Sequence, residues 1–138
     1  MDNCIFCKII KGDIPCYKVY EDDDVLAFLD ISQTTKGHTL VIPKKHYDNF
    51  LATPKELMNK VMNVAQIIGQ VQIHQLGAKG VNILTNCYKE AGKTVMHFHV
   101  HVIPRYEGTD GFILEMKENE DLGKLSLPAI ATIIKKGL

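Results

Sequence analysis

Short apolar stretches separated by turn residues recur along the chain and predict β-strands. Each is rich in Val, Ile, Phe or Tyr, and together they predict five strands, at residues 16–20, 25–29, 38–42, 81–85 and 95–103. The first two are separated only by the acidic turn 21–24. Because short turns join neighbouring strands most simply when these run antiparallel, we expect an antiparallel sheet.

Apolar positions at three- and four-residue spacing predict helices. A short helix at residues 4–11 should end at Gly12, and a long one should begin where Thr53 caps Pro54. Its predicted core stripe consists of Leu57, Met58, Val61, Met62, Val64, Ala65, Ile68 and Val71. The segment from about 121 to 136 also has a helical pattern, with Pro128 either interrupting it or lying in its first turn. These patterns predict an α+β fold, with residues 1–138 forming one domain that has a C-terminal tail from about residue 106.

Composition excludes several classes of function. Sixteen basic and sixteen acidic side chains balance among 138 residues, so we expect no bulk binding of nucleic acid or anionic membrane. The N-terminus is polar and no apolar run is long enough for a signal peptide or membrane span, which favours a cytoplasmic protein. In that reducing compartment the four cysteines are expected to be free thiols or metal ligands.

Residues 97–105, HFHVHVIPR, concentrate half of the chain's six histidines. Side chains alternate in a strand, so His97, His99 and His101 are expected on one face, with Phe98 and the valines facing the core. Such a row suits either a zinc site or a histidine nucleophile with neighbours that transfer protons, and the spacing leaves both possibilities open.

The loop before this row is a candidate phosphate site. Gly92, Lys93 and Thr94 offer backbone N–H groups, a cation and a hydroxyl immediately before the histidines. The loop lacks the spacing of a Walker motif, so the evidence for a phosphate site depends on its position next to the histidine row.

The sequence resembles the histidine triad (HIT) family, whose mark is three histidines alternating with apolar residues. The likeness extends over most of the chain and includes CIFCKIIKGDIP, VLAFLDIS, GHTLVIPKKH, Asn86 eleven residues before the first triad histidine, and the closing Pro104-Arg105. These segments look like bacterial members of the Hint-type branch. The resemblance implies a HIT-like fold, a homodimer and a site that hydrolyses purine nucleoside phosphoramidates or nucleotide anhydrides.

The resemblance also implies roles for individual residues. His99 would be the nucleophile, with His101 holding phosphoryl oxygens and the leaving group, His97 completing the triad and His38 orienting it. The implied substrate contacts are Asp30 to the ribose, Asn86, Gly92 and Thr94 to the α-phosphate, Lys93 to a further phosphate, and Ile5, Phe6 and Ile9 to the purine. No organic cofactor is expected.

Cys4 and Cys7 form a CxxC pair, which is half of a tetrahedral zinc site, although two small buried side chains would give the same letters. In distant relatives, the galactose-1-phosphate uridylyltransferases, such a pair shares zinc with two histidines. That likeness implies a structural zinc on Cys4, Cys7, His46 and His97.

The alternatives to a nucleoside phosphoramidase are a dinucleoside polyphosphate hydrolase, a purine-nucleotide-binding scaffold with incidental turnover, and a nucleotide-free zinc module.

Overall fold

The computed structural model describes residues 3–92, 95–108 and 110–138. Its strands form one five-stranded antiparallel sheet in the order β1-β2-β3-β5-β4. The strands are β1 Lys18–Glu21, β2 Val25–Leu29, β3 Thr39–Pro43, β4 Gly80–Leu84 and β5 Val100–Arg105. The α-helices are α1 Ile5–Lys11, α2 Lys55–Leu76 and α3 Leu127–Gly137, and short 3₁₀ turns lie at Phe50–Ala52, Lys89–Ala91 and Glu120–Leu122. The observed architecture confirms the α+β prediction.

The sheet is covered on both faces, which explains why its central strands are apolar throughout. Val25 and Ala27 of β2 face α2 and pack with Val61 and Val64. The alternate residues of β2 face the other side, where Phe6 of α1 packs in a second cluster. α2 therefore covers one face of the sheet and the small α1 covers part of the other, on the side of the histidines.

β5 begins later than predicted. The expected strand 95–103 is observed as Val100–Arg105, because the backbone N–H of Phe98 donates to the Tyr47 carbonyl (2.6 Å) instead of joining the ladder. The alternation nevertheless holds. Phe98 and Val100 are fully buried on the α2 side, whereas His99 contacts Phe6 on the other side.

Two details of α2 also differ from prediction. The helix begins at Lys55 with Pro54 as its N-cap, and the Thr53 hydroxyl donates to the Asn49 carbonyl (2.8 Å) rather than capping. Val71 was predicted in the core and is 49% exposed. Gln72 occupies that inward position, because it continues the face of Val61 and Ala65 around the helix, and its amide donates to the Gly37 and Val102 carbonyls.

The tail contains a 3₁₀ turn followed by a separate α-helix, rather than one helix from about residue 121. After the 3₁₀ turn, α3 begins at Leu127 with Ser126 as its cap and Pro128 in its first turn. Among the described residues, no helix is both long and apolar enough to cross a membrane.

Candidate active site and metal centre

His99 lies just before β5 in a buried position that sets the orientation of its ring. Its Nδ1 lies 2.8 Å from the backbone carbonyl of His97. A carbonyl only accepts, so Nδ1 carries the proton and Nε2 of a neutral ring carries the lone pair. The Thr85 hydroxyl donates to the His99 carbonyl (2.8 Å), which fixes the backbone of the same residue.

His101 lies within β5 and forms a hydrogen-bonded relay with His38 and Thr34. His38 Nε2 lies 2.9 Å from His101 Nδ1, and the Thr34 hydroxyl lies 3.1 Å from His38 Nδ1. The Asp30 carboxylate, 3.8 Å from His38 Nε2, favours a proton on that nitrogen. With this assignment Thr34 donates to His38, His38 donates to His101, and His101 carries its own proton on Nε2.

Burial keeps both His101 and His38 neutral. Burial is the largest cause that lowers the pKa of His101 to about 4, followed by the repulsion that His99 and His38 exert when they are protonated. Burial also lowers the pKa of His38, against the opposing charge of Asp30. At neutral pH His101 is therefore an uncharged hydrogen-bond donor.

An apolar cavity of about 130 Å³ lies beside the histidines and has Asp30 in its lining. Phe6 connects the two, since it lines the cavity and its ring centroid lies 5.1 Å from that of His99. The lining comprises Ile5, Phe6, Ile9, Ile14, Pro15, Cys16, Phe28, Leu29, Asp30, Ile31 and Leu40. The cavity thus brings together an aromatic and aliphatic wall and one carboxylate.

Of the predicted phosphate residues, Asn86 and Gly92 are neighbours. A Cβ added at Gly92 would lie 3.9 Å from the Asn86 amide nitrogen, and Gly92 has a φ of +93°, which favours glycine. Asn86 follows Thr85, which holds the His99 backbone. Lys93 and Thr94 lie outside the described residues.

Cys4, Cys7, His46 and His97 converge on one point. The ligand-type atoms are separated by 3.3 Å for Cys4 Sγ to His97 Nδ1 and by 3.4 Å for Cys7 Sγ to His46 Nδ1. The two Nδ1 atoms are 3.1 Å apart. Tetrahedral zinc with ordinary bond lengths requires separations of about 3.3 Å between two nitrogens and about 3.6 Å between nitrogen and sulfur. The residues therefore fit zinc.

The hydrogen bonds of the outer ring nitrogens set the tautomers of His46 and His97. His97 Nε2 lies 2.9 Å from the Pro43 carbonyl, and His46 Nε2 lies 3.2 Å from the Asp48 carboxylate. Both partners only accept, so both Nε2 atoms carry protons and both Nδ1 lone pairs face the cluster, where each lies within hydrogen-bond distance of a cysteine sulfur. These lone pairs are the ones that would coordinate a metal. Burial, followed by the neighbouring Cys4, raises the pKa of Cys7, so without a metal its thiol resists ionisation.

The three histidines thus form two groups rather than one even row. His99 and His101 remain neighbours, with ring centroids 5.1 Å apart, whereas His97 turns to His46 at 4.8 Å. His74 is exposed on α2 and belongs to neither group.

Sequence reasoning missed three partners of these rings: Thr34, the Pro43 carbonyl and Asp48. Of these, Asp48 could have been predicted, since it lies two residues after His46 and a carboxylate often orients a ligand histidine.

Known proteins align with most of the length of this chain. The HIT domain family matches residues 11–108. The chain is 50% identical over 120 residues to Protein hit of Bacillus subtilis (strain 168), covering 87% of this chain and 83% of that protein. It is 39% identical over 106 residues to adenylylsulfatase HINT3 of Arabidopsis thaliana, covering 77% of this chain and 54% of that protein.

Crystal structures of HIT family proteins from Bacillus anthracis and Bacillus subtilis both superpose on this chain with a TM-score of 0.91. They are 46% and 48% identical, and each match covers 99% of this chain and at least 97% of the other. A Zn-bound histidine triad protein from Mycobacterium smegmatis matches with 38% identity and a TM-score of 0.76, over 98% of both chains. A HIT family hydrolase from Clostridium thermocellum matches with 34% identity and a TM-score of 0.69, over 78% of this chain and 95% of its own. By its sequence, its fold and the arrangement of its histidines, the chain belongs to the HIT family.

Proposed function

We propose that the protein hydrolyses purine nucleoside phosphoramidates through a nucleotidyl-histidine intermediate. One observation carries the proposal: His99 donates from Nδ1 to the His97 carbonyl, next to the hydrogen-bonded chain of His101 and His38. Its lone pair is then on Nε2 and its ring is fixed, which is the state a nucleophile requires. The apolar cavity lined in part by Asp30 offers a place for a nucleoside beside it.

The reaction has two steps. His99 Nε2 attacks the α-phosphorus and forms a P–N bond as the bond from phosphorus to the amine breaks, and the amine leaves with a proton taken from solvent. Water then attacks the phosphorus of the intermediate, loses a proton to solvent, breaks the bond to His99 and releases the nucleoside monophosphate.

His101 is proposed to assist both steps with its Nε2–H. Because its pKa is about 4, it is uncharged at neutral pH and donates a hydrogen bond to a phosphoryl oxygen or the leaving group. Thr34 and His38 hold it in that tautomer.

The substrate is proposed to lie with its base in the apolar cavity. Ile5, Phe6 and Ile9 would contact the purine and Asp30 would accept hydrogen bonds from the ribose hydroxyls. Asn86 and Gly92, together with Lys93 and Thr94, would contact the phosphates.

A second candidate reaction has an anhydride as its substrate. The Arabidopsis relative is an adenylylsulfatase, so sulfate is a leaving group in a protein that shares 39% of its residues over 106 positions with this one. The same two steps would cleave adenylyl sulfate or a dinucleoside polyphosphate, with an oxyanion leaving in place of the amine.

A direct comparison of substrates tests the proposal. We expect a fluorogenic adenosine phosphoramidate to give a higher kcat/KM than either diadenosine tetraphosphate or adenylyl sulfate. A higher value for either anhydride would reassign the substrate class, and nucleotide binding without turnover of any of them would favour the scaffold.

His99→Ala tests the chemistry separately. We expect turnover to fall at least about a hundredfold, since the covalent step is lost, while the Kd for nucleoside monophosphate changes by less than about threefold. Wild-type protein quenched during turnover should carry one nucleotidyl group by mass spectrometry, and the variant none. Retention of more than about a tenth of wild-type turnover would exclude His99 as the nucleophile.

Zinc is proposed to be structural. Four protein ligands would leave it no open position for water, so when bound it would supply no Lewis-acid chemistry and would tie α1 to the segment before β5. Cys4, Cys7, His46 and His97 are the residues that would hold it.

A homodimer is also proposed. β4 lies at the edge of the sheet and exposes Ile83, and α2 exposes Ile67 and Val71 one turn apart. Covering these groups with a second copy would bury both the strand edge and the apolar side chains. Light scattering should give about twice 15.5 kDa, and a mass near 15.5 kDa at micromolar concentration would contradict the proposal.

A further inference from the structure

Cys4 and Cys7 are partly exposed free cysteines that the fold holds close together. The Sγ of Cys4, at the N-cap of α1, accepts a hydrogen bond from the Cys7 N–H (3.3 Å). Both Sγ atoms belong to a group of ligand-type atoms that all lie within 4.8 Å of one another. The two sulfurs are therefore close enough to react with each other after a local movement of the chain.

A disulfide between these cysteines requires the first turn of α1 to tighten. Residues three apart in a helix have Cβ atoms about 5–6 Å apart, whereas a disulfide brings its Cβ atoms to about 3.5–4.5 Å. Cys4 is the N-cap of α1 and Cys7 lies in its first turn, so this turn takes up the difference of about 1–2 Å.

A cleft of about 410 Å³ gives access to Cys4 from solvent. Its lining includes Cys4, His46 and Met96. Among the described residues that line it, Cys4 is the one cysteine. A small oxidant that enters the cleft therefore reaches Cys4 first, and Cys7 is placed to react with the product.

The fit of the cluster to zinc selects these two sulfurs over the other cysteines. A cysteine ligand is a thiolate, and the thiolate is also the form that attacks an oxidant. Cys16 and Cys87 lie outside the cluster, so a metal held there would not ionise them. The arrangement that suits a metal thus also makes Cys4 the more nucleophilic sulfur.

We propose that Cys4 and Cys7 are a reversible oxidation site for hydroperoxides, which convert the pair into a disulfide and abolish the metal site. The inference goes beyond the proposed hydrolysis. Two sulfurs bonded to each other no longer serve as thiolate ligands, which leaves only His46 and His97 of the four.

The oxidation has two steps. The Cys4 sulfur attacks a peroxide oxygen, the O–O bond breaks, and Cys4 becomes a sulfenic acid while the peroxide is reduced to an alcohol or water. The Cys7 sulfur then attacks the Cys4 sulfur, the S–S bond forms, and the S–O bond breaks to release water. Each departing oxygen takes up one proton, from a thiol or, where the thiol is already ionised, from solvent. The two thiols supply the two electrons that the peroxide receives.

The disulfide would also act on the apolar cavity beside His99. Ile5 and Phe6 lie between the two cysteines in the sequence, and both line that cavity. The Phe6 ring centroid is 5.1 Å from that of His99. Tightening of the first turn therefore displaces the cavity wall and weakens nucleoside binding. This consequence rests on the proposed function, whereas formation of the disulfide does not.

Oxidation of the zinc-loaded, full-length protein with one equivalent of hydrogen peroxide tests the disulfide. Both cysteines lie in the tryptic peptide of residues 1–8, so a bridge within it lowers the peptide mass by two hydrogens. We expect this loss, the release of about one zinc per chain to a chromophoric indicator, and reversal of the mass change by dithiothreitol. A bridge to Cys16 or Cys87, or a sulfinic acid at Cys4 without a disulfide, would overturn the proposal.

Two variants identify the reacting sulfurs. Cys16→Ser with Cys87→Ser retains the pair and should form the same disulfide at a rate within about twofold of the wild type. Cys7→Ser lacks the second thiol and should stop at a sulfenic acid on Cys4, which dimedone traps. If the double variant resists oxidation, the reactive thiol is not Cys4 and the proposal fails.

Nucleotide binding separates the effect of the disulfide from that of metal loss. AMP should bind the oxidised protein at least about fivefold more weakly than reduced protein from which a chelator has removed zinc. Equal Kd values for these two forms would overturn the displacement of the cavity wall. Failure of AMP to bind the reduced, zinc-loaded protein would instead contradict the proposed function, and it would leave the mass and zinc measurements unaffected.

Discussion

At the scale of single residues, His97 contributes both to the cluster of cysteines and histidines and to the site around His99. Its ring contributes Nδ1 to the cysteine and histidine cluster, and its backbone carbonyl accepts the hydrogen bond from His99 Nδ1 at 2.8 Å. Any movement of the ring toward a metal therefore acts on the same backbone that fixes the tautomer of His99. This explains why the histidine that does no chemistry in the proposed reaction lies two positions from the one that does.

Asp48 is expected to orient His46 for the metal. Asp48→Ala removes the acceptor from His46 Nε2, which frees the ring to adopt the other tautomer and turns its lone pair away from the cluster. We expect the zinc affinity to fall about 10- to 100-fold, measured by competition with a chromophoric chelator.

Asp48→Asn is the matched control, because its amide oxygen can still accept from Nε2. It should lose less affinity than Asp48→Ala. Equal affinities for the alanine variant and the wild type would show that Asp48 does not position His46.

At the scale of elements, α1 is held to the sheet by both packing and the cysteine pair. Cys4 lies at the N-cap of α1, where its Sγ accepts from the Cys7 N–H (3.3 Å), and Phe6 packs on β2 and β3. Cys4→Ser should lose zinc and, at zinc concentrations about 100 times the Kd, about 2.7 kcal/mol of stability. Elemental analysis and urea unfolding with added zinc measure the two effects.

Cys16→Ser is the control for that experiment. Cys16 lines the apolar cavity and lies outside the metal cluster, so its substitution should leave the zinc content unchanged. If the wild-type protein folds without zinc and is equally stable when zinc is added, Cys4 and Cys7 are small buried side chains and not zinc ligands.

Elements were predictable from the sequence where one local pattern decides them. β2 is observed at the predicted residues, because both of its faces are buried and an acidic turn precedes it. The predicted ends of β5 and the predicted inward position of Val71 on α2 were wrong, since distant groups decide them: the Tyr47 carbonyl accepts from the Phe98 N–H, and the Gly37 carbonyl accepts from Gln72.

The candidate site was also predictable only in part. The resemblance pointed to His38, His46 and the CxxC pair, and the fold brings each of them next to a triad histidine. The hydrogen bonds that set the ring tautomers could not be predicted, because backbone carbonyls such as that of Pro43 have no sequence signature.

At the scale of the whole molecule, the buried histidine chain should make stability depend on pH. His101 takes up a proton near its ordinary pKa of 6.5 when unfolded, and near 4 when folded. Between these values the unfolded state binds more protons, so stability falls as the pH decreases from about 6.5 toward 4. The full shift corresponds to about 3 kcal/mol, and solvent screening of the partly buried ring reduces this to about 1 to 2 kcal/mol.

His101→Gln should remove this contribution. Urea unfolding at pH 7 and pH 4.5 should show a loss of stability that is about 1 to 2 kcal/mol smaller in the variant than in the wild type. Protonation of metal ligands occurs in both proteins and cancels in the difference. His74→Gln, at an exposed position of α2, should retain the wild-type loss. If His101→Gln and His74→Gln lose the same stability, burial of His101 does not disfavour its charged form, and the proposed role of His101 as an uncharged donor at neutral pH would have to be abandoned.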